Sequence, residues 1–153
     1  DPENEQAVQH LLQLKQRPMH KGLILIAATL EQLTPYLAPI PPQCMQTVLA
    51  TWPGAITWIF PASDRTPTWI RGEHPSVAVR VTAHPIAKEL CLAFGKPLVS
   101  TSANKSHEAP AISAQAVKAI FPEGIELIIE GALGGLSKPT EIRDALSNRV
   151  WRN

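Results

Sequence analysis

The apolar run Leu23-Ile24-Leu25-Ile26-Ala27 constrains this chain more than any other stretch. It reads as a buried strand, and a buried strand requires a sheet covered by further elements. The residues ahead of it supply a cover. Asp1-Pro2-Glu3 has the form of a helix start, with a capping acid, a proline at the first helical position and another acid near the positive end of the dipole. Ala7, Val8, Leu11, Leu12 and Leu14 then recur at three- and four-residue spacing and define one buried face.

Downstream, short helices are predicted over 30–37 and 43–51, the second ending near Trp52-Pro53-Gly54. Strands follow at 55–60 and 76–82, joined by a proline-rich loop, then a helix at 84–94 and a strand at 97–100. Ser113 is placed to cap a helix reaching Phe121, and strands near 125–130, 140–143 and 149–151 close the domain. The 15 prolines imply short elements stopped sharply by turns. The pattern predicts a single α/β domain: a twisted mixed sheet with flanking helices.

Composition narrows the function classes. At 153 residues the chain is long enough to bury a core, and 44% hydrophobic with 18% charged residues marks a folded globular protein. The net charge of +1 creates no strong field toward nucleic acid or an anionic membrane, and the 14 Lys and Arg are spread along the chain. No stretch is long enough to span a bilayer, and none resembles a signal peptide. Cys44 and Cys91 lack the spacing of a zinc or redox motif, so a reduced, cytoplasmic protein is expected.

Two polar clusters carry the chemistry. Lys15, Arg17 and Lys21 fall within one seven-residue stretch at a helix end, ahead of the buried strand. Cations there offset the negative end of a helix, or they hold phosphates. Ser100-Thr101-Ser102-Ala103-Asn104 follows an apolar run. Such residues cap turns and helices, but in an open α/β sheet ligands also collect at strand ends. A third signal is Arg80. Val77, Val79 and Val81 share one face of their strand, which leaves Ala78 and Arg80 on the other. That face is either solvated or a cleft wall, where a guanidinium fork suits a carboxylate or phosphate.

The order of these motifs resembles the YrdC/Sua5 family: Lys15-x-Arg17-Pro18-x-x-Lys21, Val77-Ala78-Val79-Arg80-Val81, Ser100-x-Ser102-Ala103-Asn104, Pro139-Thr140-Glu141-Ile142-Arg143-Asp144 and a terminal Arg152. The resemblance runs over residues 1–153 and implies a concave, positively lined cavity. It implies an enzyme that joins L-threonine, bicarbonate and ATP into threonylcarbamoyl-adenylate and pyrophosphate, with magnesium on the triphosphate and no metal bound by the protein. The product would pass to a threonylcarbamoyl transferase complex for N6-threonylcarbamoylation of adenosine beside the anticodon, with tRNA contacted only indirectly or weakly. Carried over by position, it assigns Arg17, Lys21, Ser102 and Arg152 to ATP. Lys15 and Asn104 complete the catalytic tetrad with Arg17 and Ser102, while Arg80 and Thr140 are assigned to threonine. A non-catalytic RNA-binding or ribosome-maturation module is the alternative in the same family.

Other signals are set aside. Residues 134–140 mimic a phosphate-binding loop, but Pro139 stands where its helix should continue. The five histidines show no paired spacing for a metal, and Trp52, Trp58 and Trp69 read as packing residues. The family's usual opening strand, with a Tyr-Pro-Thr-Glu motif, has no counterpart here, and Ile26 is apolar where longer relatives often carry a polar threonine contact. The resemblance thus implies an N-terminally incomplete domain over 1–153, one core strand short and impaired in threonine binding. Such a chain is expected to release far less pyrophosphate from ATP, threonine and bicarbonate than one with that segment restored; equal rates would sink this expectation.

Overall fold

The computed structural model describes residues 1–135 and 139–152; of the mimic loop at 134–140, Leu136, Ser137 and Lys138 lie outside the described residues. Among the described residues six α-helices and six strands follow one another: α1 (Glu5–Leu14), β1 (Ile24–Ala27), α2 (Leu30–Leu33), α3 (Pro42–Leu49), β2 (Ile56–Pro61), α4 (Thr68–Arg71), β3 (Ser76–Val81), α5 (Pro85–Phe94), β4 (Leu98–Ser100), α6 (Ala114–Ile120), β5 (Glu141–Asp144) and β6 (Val150–Arg152). The strands form one sheet in the order β4-β1-β3-β2-β5-β6. β1 runs parallel to β3 and β2 parallel to β5, while the other three pairings are antiparallel. The sheet is therefore mixed, as expected.

Strand period decides which side chains meet. Ile24 and Ile26 of β1 pair with Ala78 and Arg80 of β3, and Ile59 of β2 pairs with Ala78. Leu25, Val79, Trp58 and Phe60 point the other way into the main core, where all four are fully enclosed. That core is completed by Val8 and Leu12 of α1, Leu33, Tyr36, Val48 and Ile70. At about 25 cal/mol per Å2 of apolar surface, each such side chain is worth roughly 1.5–3 kcal/mol. A smaller cluster of Ile26, Ala28 and Cys91 seats α5 on the opposite face beside β1 and β4. The rest of that face is concave and open.

Several boundaries differ from expectation for local reasons. α1 starts at Glu5, capped by Asn4, whose Oδ1 accepts from Ala7 N at 3.0 Å. The Asp1 carboxylate caps a preceding turn by accepting from Glu3 N, and Trp69 Nε1 donates to Pro2 O at 2.9 Å, pinning that turn against α4. The helix expected over 30–37 tightens into a 3-10 turn at Thr34–Tyr36, because Pro35 has no N–H to continue the α pattern. α4 sits inside the expected proline-rich loop. Ser113 caps α6 as expected, its Oγ accepting from Ala116 N at 3.1 Å.

The strand expected near 125–130 does not form. Ile125, Leu127 and Ile129 have strand-forming side chains, but among the described residues this segment makes no backbone–backbone hydrogen bonds, and all three are exposed. Strand propensity needs a ladder partner to become a strand.

Tyr36, the only tyrosine in the chain, anchors the amino-terminal turn to the core. It is 3% exposed and donates its hydroxyl to Glu3 Oε1 at 3.0 Å, while Lys96 holds the other carboxylate oxygen. Burial first, and then the bond to Glu3, push the phenol up to about 12 from its ordinary 10.0. A raised pKa contributes stability in full below the unfolded value, and that stability is lost as pH climbs through 10 to about 12. Absorbance titration of the native protein should therefore show a tyrosinate midpoint near 12, with the urea-unfolded chain near 10. Coincident midpoints would refute the anchoring role.

Candidate active site

The positive φ of Gly22 (66°) sets the first part of the site. A Cβ there would lie 3.0 Å from the Arg71 carbonyl oxygen, so only glycine lets the chain turn from Lys21 into β1 against α4. The turn presents the Gly22 carbonyl to Arg17, whose Nη2 donates to it at 2.9 Å. Lys15, at the C-terminal cap of α1, points inward. It is only 4% exposed, and its ammonium donates to the carbonyl oxygens of Ser102 and, at 2.6 Å, Asn104. Ser106 N donates back to the Lys15 carbonyl at 2.9 Å. The end of α1 is thereby bound to the loop after β4, and the two polar clusters of the sequence become one structure.

Inside that junction two polar atoms are buried without partners among the described residues: Arg17 Nε and Asn104 Oδ1. The Asn104 amide nitrogen is committed to the carbonyls of Lys105 and Glu108, which fixes the direction of its oxygen. Lys15, Arg17, Lys21, Ser102 and Asn104 border a hollow of about 150 Å3. Arg17 and Lys21 also border a second hollow, of about 330 Å3, together with Arg152. Burial lowers the pKa of Lys15, and the neighbouring Arg17 charge adds to the effect.

Arg80 forms the second part. It projects from β3 on the open face, and its Nη1 donates to Thr57 Oγ1 at 2.9 Å and Thr140 Oγ1 at 2.8 Å. Arg80 and Thr140 border a third hollow of about 740 Å3, walled also by Ile26, Thr82, His84 and Ser100. Ile26 gives this wall an apolar surface beside Arg80, as its sequence position implied. Arg152 of β6 joins the parts by donating from Nη2 to the Thr140 carbonyl at 2.9 Å. Arg17 and Arg80 are each lowered by burial first and by the Arg152 charge second.

All eight residues singled out in the sequence thus line one concave face: Lys15, Arg17, Lys21, Ser102 and Asn104 at one rim, Arg80 and Thr140 within, and Arg152 between. Sequence reasoning missed Thr57 and Gly22. A polar residue inside the apolar strand 55–60, on the Arg80 face, was the available signal for Thr57. Two of the three Lys15 N–H groups are spent on carbonyls, which leaves one for a ligand. Among the described residues no three metal-ligating side chains gather, and no helix is long and apolar enough to cross a membrane.

The Sua5/YciO/YrdC family model, described as "Telomere recombination", matches residues 1–153. The chain belongs to the Sua5/YciO/YrdC family. Among curated members, a threonylcarbamoyl-AMP synthase of Halorhodospira halophila is 52% identical over 152 residues, covering 99% of this chain and 80% of its own length. Another, from Vibrio parahaemolyticus, is 49% identical over 154 residues, covering 99% and 83%. Of solved structures, a P. abyssi Sua5 variant superposes with a TM-score of 0.90 at 31% identity, over 98% of this chain. The P. abyssi protein complexed with L-threonine gives 0.85 at 33% identity, over 92% of this chain. This chain spans 44% and 42% of those two chains. The family fold accounts for the mixed sheet with its open face.

Lys15→Met tests the junction. It keeps the length of the side chain but leaves two carbonyls without their donor, at a cost of roughly 1–3 kcal/mol for each that stays buried. Urea unfolding should show a loss of about 2 kcal/mol or more, with faster amide exchange at Ser106. An unchanged midpoint would mean that the ammonium does not hold the loop.

Proposed function

We propose that this chain is an L-threonylcarbamoyladenylate synthase, using L-threonine, bicarbonate and MgATP as substrates. The observation that carries the reading is the placement of Arg152 between a donor pair, Arg80 with Thr140, and the Lys15–Arg17–Lys21 rim. Curated relatives near 50% identity over 99% of the chain are named for this reaction, and a family structure is complexed with L-threonine.

The amine of threonine captures carbon dioxide derived from bicarbonate as a carbamate. A carbamate oxygen attacks the α-phosphorus of ATP, and the bond from that phosphorus to the α,β-bridging oxygen breaks, so the β- and γ-phosphates leave together as pyrophosphate. Carboxylate, carbamate and triphosphate are all anionic, so their approach is opposed by repulsion. Arg80 and the Thr140 hydroxyl are suited to hold the carboxylate at one end. Arg17, Lys21, Ser102 and Arg152 are suited to hold phosphate oxygens at the other, with Lys15 and Asn104 shaping the loop between. Fixed cations lower the barrier by position and by offsetting charge as it develops on the departing phosphate. No protein side chain becomes covalently bonded, and the magnesium ion arrives with the nucleotide.

The unstable product fits a role in the cytoplasm, where a threonylcarbamoyl transferase complex modifies adenosine beside the tRNA anticodon. The two free cysteines agree with that compartment. An RNA-binding module is not favoured: the net charge of +1 offers little phosphate attraction, and the relatives' names point to the enzyme.

Pyrophosphate release should require threonine, bicarbonate and ATP together. Arg80→Lys keeps the charge and loses the fork, so the KM for threonine should rise about tenfold or more, the equivalent of one charged hydrogen bond, while that for ATP stays nearly unchanged. Steady-state kinetics with each substrate varied in turn would decide it; equal effects on both KM values would remove Arg80 from the threonine end.

A further inference from the structure

Thr57 lies in β2, is fully enclosed, and sits with its Oγ1 3.2 Å from Thr140 Oγ1. Arg80 Nη1 donates to both oxygens, one proton to each. The contact between the hydroxyls needs one more proton, supplied by one of the two threonines. The Thr57 hydroxyl makes no other hydrogen bond among the described residues. Were its proton turned away from Thr140, it would be left unpaired at a buried site, a costly state. Thr140 is only partly buried and borders the 740 Å3 hollow. Its own proton can therefore point into that hollow.

We infer that Thr57 is a positioning residue that makes the Arg80–Thr140 end of the cavity a donor-only cradle for an amino-acid carboxylate. With Thr57 donating to Thr140, the Thr140 oxygen has accepted two bonds, one from Thr57 and one from Arg80. Its hydroxyl then faces the ligand only as a donor. Arg80 Nε and Nη2 make no protein hydrogen bond among the described residues and add further donors. A carboxylate oxygen satisfies every one of these groups. A carboxamide brings an NH2 that finds no acceptor there, and donor facing donor is penalised. The inference rests on the reading that threonine is the amino acid bound.

The experiment compares L-threonine with L-threoninamide as substrates of the wild type, Thr57→Val and Thr57→Ser, by pyrophosphate release, with thermal melting of each protein. Valine keeps the shape and removes the hydroxyl; serine keeps the hydroxyl. In Thr57→Val the Thr140 hydroxyl is free to turn and accept from the amide. The preference for threonine over threoninamide, as a ratio of kcat/KM values, should therefore fall about tenfold, with the KM for ATP unmoved and Thr57→Ser close to wild type. A purely structural role would change the melting temperature without shifting that ratio, and an unshifted ratio overturns the inference.

If Thr57→Val does not fold, the wild type still decides: similar use of threonine and threoninamide overturns the inference, and strong rejection of the amide, retained by Thr57→Ser, supports it. A wild type that turns over neither substrate, and binds no threonine by calorimetry, overturns the functional reading and this inference together. An active wild type with an unmoved Thr57→Val ratio overturns the inference alone.

Discussion

Cations on the open face of this sheet are anchored by neutral oxygens, and the rest of the site depends on that choice of partner. Lys15 donates to the carbonyls of Ser102 and Asn104, Arg17 to that of Gly22, Arg80 to two threonine hydroxyls, and Arg152 to the Thr140 carbonyl. A carboxylate would hold each side chain as firmly but would cancel its charge. A carbonyl or hydroxyl fixes the direction and leaves the charge for a ligand. The described ion pairs lie apart from these four: Lys96 with Glu3 at the amino-terminal turn, and Arg143 with Glu141, where Arg143 also lies over the core-facing ring of Trp58.

The sheet makes this arrangement possible because one strand serves both faces. In β3 the valines at 77, 79 and 81 are buried while Ala78 and Arg80 face the cavity. A register slip of one residue would put Arg80 into the core and the valines into the cavity, so the burial that stabilises the domain also fixes the guanidinium. β1 and β2 flank β3 on either side, which places Ile26 on one side of Arg80 and Thr57 on the other. Packing therefore does the aiming.

Legibility in the sequence followed the range of the interactions. The alternation in 76–82, the apolar run at 23–27 and the Ser113 cap are local, and the structure forms a strand, a strand and a cap there. Residues 125–130 carry the local pattern of a strand without becoming one, because strand formation depends on a partner that local pattern does not contain. The first helix began three residues late because Asn4 outcompeted Asp1 as cap once Pro2 was held by Trp69, 67 positions away. Motif order picks out eight residues that the fold brings to one face, but not the hydrogen bonds that each makes there. Nothing in Lys15-x-Arg17 shows that one cation is buried on carbonyls 87 and 89 positions away while the other keeps a buried Nε unpaired.

Thr57 follows from the same logic at a finer scale. Arg80 takes hydroxyls as its anchors, and a hydroxyl, unlike a carbonyl, can reverse its own polarity. An Arg held by hydroxyls alone would sit in a site whose donor pattern changes with each rotation of Thr140. Enclosing one of the two hydroxyls removes that freedom, because the buried proton has a single partner within reach. Sheet packing around Thr57 thus fixes the proton between the two hydroxyls, beside a cation whose charge has been kept free.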